Sequence, residues 1–167
     1  MLAVSGRLDL KPPRGSIVTQ LEGEIRGQPG PVARAANSSM RSVYLPIIRD
    51  RVPDVLNLFD FAEPSLVVAN RDVTTVPSQA LFMWNSPFVA AQSEAMAQRL
   101  LAKSAADGRQ RIGYAYLWAL SRLPTDTERT RAENYLRESV GKLDGAEKIW
   151  ATFCQTLFAS AEFRYLK

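Results

Sequence analysis

Apolar residues recur at helical spacing through the second half of the chain and predict four amphipathic helices. Between Ile112 and Leu123 they fall at i, i+3, i+4, i+7, i+8 and i+11, which is the pattern of a helix with one buried face. Three neighbouring stretches show the same period. We expect helices over roughly 87–104, 109–122, 126–140 and 145–162, and the short turns between them favour a compact bundle.

Capping residues mark the beginnings of these helices. Ser86 stands before a proline, the usual order of an N-cap and a first helical position. Thr125 and Glu128 have the spacing of a capping box. Asp144 is followed three residues later by Glu147, so Asp144 is predicted to cap the last helix.

The first part of the chain lacks this periodicity. Residues 1–40 contain many prolines and glycines, which regular elements do not tolerate, and are expected to form a loop-rich basic arm. At its start, the residues before Gly6 look like the end of a helix that a glycine stops. Residues 41–167 are expected to form a single helical domain. The predicted fold class is therefore mainly α.

The segment between the arm and the bundle is expected to be irregular, with little or no β structure. Arg41 to Arg49 is rich in strand-forming residues, but Pro46 cannot donate to a ladder, so this stretch is predicted to be an edge strand or merely extended. Short helices are predicted from Val52 to Phe59 and from Gln79 to Asn85.

Composition excludes several kinds of site within this chain. It contains no histidine and one cysteine, Cys154, so a Ser-His-Asp triad, a His-ligated zinc site and an internal disulfide cannot be built. Cys154 lies in an apolar helical stretch and is predicted to be a buried, inert thiol. No apolar run approaches the roughly 20 residues that cross a bilayer, so membrane insertion is not expected.

The net charge of +4 lies entirely in the first part of the chain. Residues 1–51 hold eight Arg or Lys and four acids, and residues 52–167 hold thirteen of each. Such an arm could contact phosphates or acidic glycans. Because its basic residues are scattered singly, a solvated lead-in is favoured and nucleic-acid binding is not.

The densest polar chemistry lies between Asn70 and Gln79, and it supplies the candidate binding residues. In one interpretation Arg71 grips an anion and Asp72 acts as a base, with Thr74, Gln79 and the nearby Asp60 completing a pocket. A pair of carboxylates there could also support glycoside cleavage. The alternative, which we favour, is that these side chains form turns and caps and satisfy backbone groups. No catalytic or metal-binding residue is predicted.

The aromatic residues of the helices divide between two faces. Tyr116, Tyr135 and Trp150 fall on the core-facing stripes and are predicted to pack inside. Tyr114 and Trp118 share another face of one helix and could contact a partner domain.

Several motifs together resemble a known family. They are Arg41-Ser42-Val43-Tyr44, Phe59-Asp60, Asn70 to Leu81, Asn85 to Val89, Leu120 to Thr125 and Leu157 to Phe163. The chain resembles the planctomycete cytochrome-c-associated C-terminal domain of unknown function, and the similarity runs nearly end to end. Even the first nine residues look like an internal stretch of that domain. The resemblance therefore implies a fragment that lacks the domain's N-terminal part.

The resemblance implies the kind of protein that contains such a domain, but it implies no activity. Such domains lie at the C-terminus of large, exported, multidomain proteins. These proteins carry a cytochrome c segment nearer the N-terminus. Exported or periplasmic location, partners among the other domains of the parent, and haem c held elsewhere are therefore expected. The leading functional hypothesis is a non-catalytic structural or docking region. The alternative is part of a module that binds or hydrolyses polysaccharide through the Asn70 to Gln79 segment.

Overall fold

The computed structural model describes residues 1–15, 38–45, 47, 52, 54–62, 67, 69, 77–103 and 105–165. Within these ranges the chain is mainly helical and contains no strand. The helices are α1 (Leu2–Ser5), a 3₁₀ helix (Ser42–Tyr44), α2 (Asp54–Leu58), α3 (Pro77–Asn85), α4 (Pro87–Leu101), α5 (Gly108–Leu120), α6 (Asp126–Ser139), α7 (Ala146–Ala159) and α8 (Ala161–Arg164).

The four helices predicted from periodicity are α4 to α7, and their boundaries differ by at most three residues from the prediction. The two short helices before them are present as α2 and α3. The extended conformation predicted after Arg41 is wrong for Ser42–Tyr44, which forms a 3₁₀ turn in which Tyr44 N–H donates to the Arg41 carbonyl at 2.9 Å. A single local turn satisfies these backbone groups without a neighbouring strand, and that outweighs the strand propensity of the side chains.

Hydrogen-bonding side chains begin some of these helices as predicted and others differently. Thr125 and Glu128 form the predicted capping box at the start of α6. Asp107 and Gln110 form a second capping box, which was not predicted, at the start of α5. Ser86 occupies the N-cap of α4, but its side chain makes no capping hydrogen bond.

The predicted cap of α7 is wrong. Gly145, rather than Asp144, is the N-cap residue, with φ 86°, and no side-chain cap bond is formed. A positive φ suits glycine, so the turn after α6 places Gly145 at the N-cap position of α7. Asp144 then lies one residue before the N-cap and cannot serve as the capping residue.

The core lies mainly between α4 and α7, which make the most extensive contact of any two described helices. Their buried side chains include Met96 and Leu100 of α4 and Cys154 and Phe158 of α7. Ile112 contributes from α5. Burying one such large apolar side chain stabilises the fold by about 1.5–3 kcal/mol, so this helix pair supplies much of the stability.

The first residues of the chain pack on α4. The Ser5 hydroxyl donates to Gln92 Oε1 at 2.7 Å, and Arg99 Nη1 donates to the Val4 carbonyl at 2.9 Å. Gly6 ends α1 with φ 78°, as its position in the sequence predicts. Met1–Arg7 and Ala80–Lys167 accordingly form one compact unit, and Leu8–Gln79 forms a second. The predicted boundary at residue 40 stays a prediction.

Within the second unit, two hydrogen bonds between described residues join segments that are distant in the sequence. Asp9 N–H donates to the Ser39 carbonyl at 2.8 Å, beside an isolated bridge between Asp9 and Met40. The Gln79 amide donates to the Leu58 carbonyl at 3.0 Å. Across the described ranges, no helix is long and apolar enough to span a membrane.

Candidate functional site

The structure describes two of the five residues predicted to bind a ligand. Arg71, Asp72 and Thr74 lie outside the described residues. Gln79 is 2% exposed, and its Nε2 donates to the Leu58 carbonyl at the end of α2. Asp60 is half-buried in the left-handed turn that follows the same helix end, with φ 58°. Gln79 and Asp60 thus lie at one end of α2, where Gln79 supports the backbone.

The strongest polar arrangement among the described residues is centred on Arg122, in the turn after α5. Its Nη1 and Nη2 donate to the two carboxylate oxygens of Glu128 at 2.8 Å each, and its Nε and Nη2 donate to Glu162 at 2.6 and 2.7 Å. Nη1 also donates to the Leu123 carbonyl at 3.1 Å. All five N–H groups of the guanidinium therefore have acceptors. We call Arg122, Glu128 and Glu162 the arginine clamp.

The arginine clamp joins three elements. Arg122 follows α5, Glu128 lies in the first turn of α6 and Glu162 lies in α8. Glu128 Oε2 also accepts from Thr125 N–H at 2.8 Å, as part of the capping box. The guanidinium carbon lies 5.6 Å from the centre of the Tyr116 ring. One side chain therefore fixes the end of one helix against the beginnings of two others.

The electrostatics of the arginine clamp follow from these contacts. Hydrogen bonding to Arg122 lowers the pKa of the Glu128 carboxyl to about 2. The same two carboxylates raise the pKa of Arg122 above its ordinary value. Burial, assisted by Glu128, raises the pKa of the Tyr116 phenol. An arginine with every donor occupied and two carboxylates around it stabilises structure, because no donor is left for a ligand anion.

A second polar cluster lies between α4 and α5. The Arg99 guanidinium carbon lies 4.1 Å from the Trp118 ring centroid, and Lys103 Nζ lies 4.9 Å from the Tyr114 ring centroid. The two rings stack with centroids 6.0 Å apart. Leu117, on the same helix, is 46% exposed. We call Arg99, Lys103, Tyr114, Leu117 and Trp118 the cation–aromatic surface.

The predicted core aromatics are inside. Tyr116 and Trp150 are buried and Tyr135 is half-buried. All three contact Phe153 of α7, with ring centroids 5.7 to 6.5 Å apart. These separations are typical of packed aromatic pairs, so the residues serve the core and do not form a stacking site for a ligand.

Cys154 is fully buried, as predicted. Burial raises the pKa of its thiol to about 12, so the thiolate needed for nucleophilic or metal chemistry is not formed near neutral pH. In the described part of the chain, no three His, Cys, Asp or Glu side chains are grouped so that they could hold a metal ion.

No local sequence pattern predicts the arginine clamp as a unit. Arg122 and Glu162 each lie in a motif that carries the family resemblance, but nothing local indicates that positions forty residues apart would meet. The spacing of Thr125 and Glu128 located one side of the clamp. The sequence does not show which acidic residue pairs with Arg122, and only the fold brings Glu162 to it.

These features define a helical module in which the described polar clusters hold helices together. The sequence pattern of PSD1, described as a protein of unknown function (DUF1553), matches residues 1–136. The chain belongs to this family. No curated protein and no solved structure matches it.

Proposed function

We propose that this chain is a non-catalytic structural region that docks other domains of a larger exported protein. The observation that carries the proposal is the arginine clamp, in which every donor of Arg122 is bound within the chain. The densest charged cluster in the described structure is thus used for joining helices. A site for substrate keeps some of its polar groups available to the substrate.

Gln79 supports the same interpretation. It belongs to the polar segment that would serve a polysaccharide site, yet it is buried and its amide donates to a backbone carbonyl. A buried amide of this kind satisfies a helix end rather than a ligand. The alternative function, binding or hydrolysis of polysaccharide, loses one of its five candidate residues on this account.

Exposed apolar side chains supply the docking part of the proposal. Leu81 and Trp84 of α3 are 60% and 48% exposed, and Tyr114 and Leu117 of α5 are exposed as well. Exposed apolar side chains that cluster on a helix face are a feature of surfaces that bind another protein. The family resemblance extends the proposal to a planctomycete parent with a cytochrome c segment nearer its N-terminus and to export from the cytoplasm. The helical spacing and short turns extend it to a compact four-helix bundle over α4 to α7.

Hydroxyl-radical footprinting tests the docking role. Side-chain oxidation is compared between this 167-residue chain and the natural full-length protein that contains it. Docking predicts lower oxidation of at least one exposed apolar pair, Leu81 with Trp84 or Tyr114 with Leu117, in the full-length protein. Equal oxidation of all four in both samples would overturn the proposal.

A second experiment separates the structural role from the polysaccharide alternative. Gln79→Met keeps the length of the side chain but removes the amide donor. The structural role predicts a loss of about 1–2 kcal/mol in the free energy of unfolding, because the Leu58 carbonyl loses a buried partner. The alternative predicts unchanged stability and weaker binding to sulfated or neutral glycans. Glycan turnover that depends on Gln79 or Asp60 would also contradict the proposal.

A further inference from the structure

We infer that the cation–aromatic surface binds an acidic segment of polypeptide, and that this is where a second domain docks. This inference rests on the proposed docking function and adds to it a location and a partner chemistry. It draws on contacts among α1, α4, α5 and Lys103, all of which belong to one compact unit.

The cations of this surface are held in place by the fold. Arg99 lies over the Trp118 ring while its Nη1 donates to the Val4 carbonyl at the end of α1. Lys103 lies over Tyr114, and its own carbonyl accepts from Arg111 Nη2 at 3.2 Å. Long side chains normally lose conformational entropy when they bind, and these are already ordered. A partner would therefore meet preorganised positive charge.

The charge balance favours an anionic partner. Arg99, Lys103 and Arg111 bring three positive charges to this part of α4 and α5, and none of the three forms an ion pair within the described residues. Two nearby acids keep their charge but direct an oxygen to donors other than these cations: Asp107 accepts from Gln110 N–H as the cap of α5, and Glu147 accepts from the Gln98 amide. Complementary charge at the rim of an interface raises association rates and selects the partner.

The aromatic rings argue for a polypeptide rather than a glycan or a nucleic acid. Sugars and bases bind proteins by stacking on open ring faces. Here Trp118 and Tyr114 each have a cation over one face and stack on one another. The exposed Leu117 and the exposed part of Tyr114, which is 37% accessible, instead offer apolar contact beside the charges. Carboxylates alternating with apolar side chains complement that arrangement.

Carbodiimide coupling of the natural full-length protein tests this inference. The reagent activates a carboxylate as an O-acylisourea, and the Lys103 amine attacks the activated carbon to form an amide while a urea leaves. Bonds of this kind join only groups that are already in contact. We expect peptides that join Lys103 to an Asp or Glu of another domain, at a yield at least about tenfold above that for the exposed Lys142, which corresponds to about 1.4 kcal/mol of preferential contact.

A negative charge introduced into the surface provides the second test. Tyr114→Glu is expected to lower Lys103 coupling by about tenfold or more, because a carboxylate facing the partner's carboxylates repels them. Val140→Glu, at an exposed apolar position in another part of the chain, is the matched control and should leave coupling unchanged. If Tyr114→Glu does not give the helical content of the natural chain, Leu117→Glu takes its place.

The outcomes separate this inference from the docking proposal. Lys103 coupling no higher than Lys142 coupling, together with footprinting protection at Leu81 and Trp84, would overturn the inference and leave docking intact. Lys103 coupling that persists in Tyr114→Glu or Leu117→Glu would also overturn it. Binding of dextran sulfate or single-stranded DNA to the isolated chain, lost in Tyr114→Glu, would replace the peptide with a polyanion and so contradict it as well.

Discussion

Arg122 and Glu162 form a bidentate ion pair although they lie forty positions apart in the sequence. Nε of Arg122 lies 2.6 Å from Oε1 of Glu162, and Nη2 lies 2.7 Å from Oε2. This two-point geometry fixes both the distance and the plane of the two side chains. Glu162 lies in α8, a helix of four residues. So short a helix has little stability of its own, and the ion pair is one of the contacts that hold it in place.

The first prediction concerns the shape of the arginine side chain. Arg122→Lys keeps the charge but replaces five donors in a plane with one ammonium group, so it cannot make both two-point contacts. We expect a loss of about 1–2 kcal/mol in the free energy of unfolding in urea, since these charge-assisted bonds are only partly shielded from water.

Arg109 offers a matched control for this substitution. Its Nε lies 3.9 Å from Glu133 Oε1, and both side chains are well exposed. Arg109→Lys should change stability by less than about 0.5 kcal/mol. Equal effects of the two substitutions would mean that the geometry of the arginine clamp adds nothing to stability.

The second prediction is a pH dependence that depends on Glu128. Its pKa is about 2 in the folded chain against 4.5 for an unperturbed glutamate. A lowered folded-state pKa contributes stability that is fully present above about pH 4.5 and is lost as the pH falls toward 2. The free energy of unfolding should therefore decline over this window by about 1–2 kcal/mol more in the natural chain than in Glu128→Gln.

Urea unfolding at a series of pH values checks this expectation. Glu128→Gln keeps an oxygen acceptor for the Thr125 cap but carries no titrating group. The difference in stability between the two proteins should be largest near neutral pH and shrink below pH 4. A difference that does not vary with pH would exclude Glu128 as the source of the acid sensitivity.

The third prediction separates two acidic residues that look alike in the sequence. Asp107 accepts from Gln110 N–H at 2.7 Å and caps α5. Asp144 precedes Gly145, the N-cap of α7, where no side-chain cap bond is formed. Asp107→Ala should lower the free energy of unfolding by about 1 kcal/mol, the usual cost of losing an N-cap. Asp144→Ala should leave it within about 0.5 kcal/mol of the natural value. Thermal unfolding followed by circular dichroism at 222 nm distinguishes the two.

The fourth prediction concerns the thiol of Cys154. Its burial and its raised pKa predict that a disulfide reagent reacts with it only when the chain unfolds. The labelling rate at pH 8 should rise with urea in parallel with the unfolded fraction. Fast labelling in the absence of urea would show that α7 opens locally.

The same thiol predicts an effect at high pH. Below about pH 9 it is neutral in both the folded and the unfolded chain. Between pH 9 and 12 only the unfolded chain loses this proton. Stability should therefore fall with rising pH across that interval, and the fall should be smaller in Cys154→Ala.

Local patterns predicted the helices well because their causes are local. Apolar spacing located α4 to α7, and the spacing of Thr125 and Glu128 located a capping box. The prediction that Asp144 caps α7 was wrong by one residue. The N-cap is Gly145, because the backbone there has a positive φ, which favours glycine. Which residue takes that role depends on the path of the turn, and the local pattern does not specify it.

The candidate site was less predictable than the helices. The sequence drew attention to polar residues that lie close together along the chain, and Gln79 proved to be a buried partner of a backbone carbonyl. The arginine clamp and the cation–aromatic surface are built from residues on different helices. Their partners are chosen by helix packing, which local spacing does not determine. Tyr114 and Trp118 were correctly placed on one face, but the cations that cover them come from α4 (Arg99) and from the residues just after it (Lys103).

The contact of α1 with α4 has a consequence for the order of events on the ribosome. Val4 meets Arg99, which is encoded ninety-five codons later. At a synthesis rate of roughly 5–20 residues per second, Arg99 is made about 5 to 20 s after Val4, and α1 has no α4 to pack on during that time. During that interval a four-residue helix has no means of persisting alone. The opening residues of this chain therefore gain this contact only after α4 has been made, and a factor that binds nascent chains would find them available throughout that time.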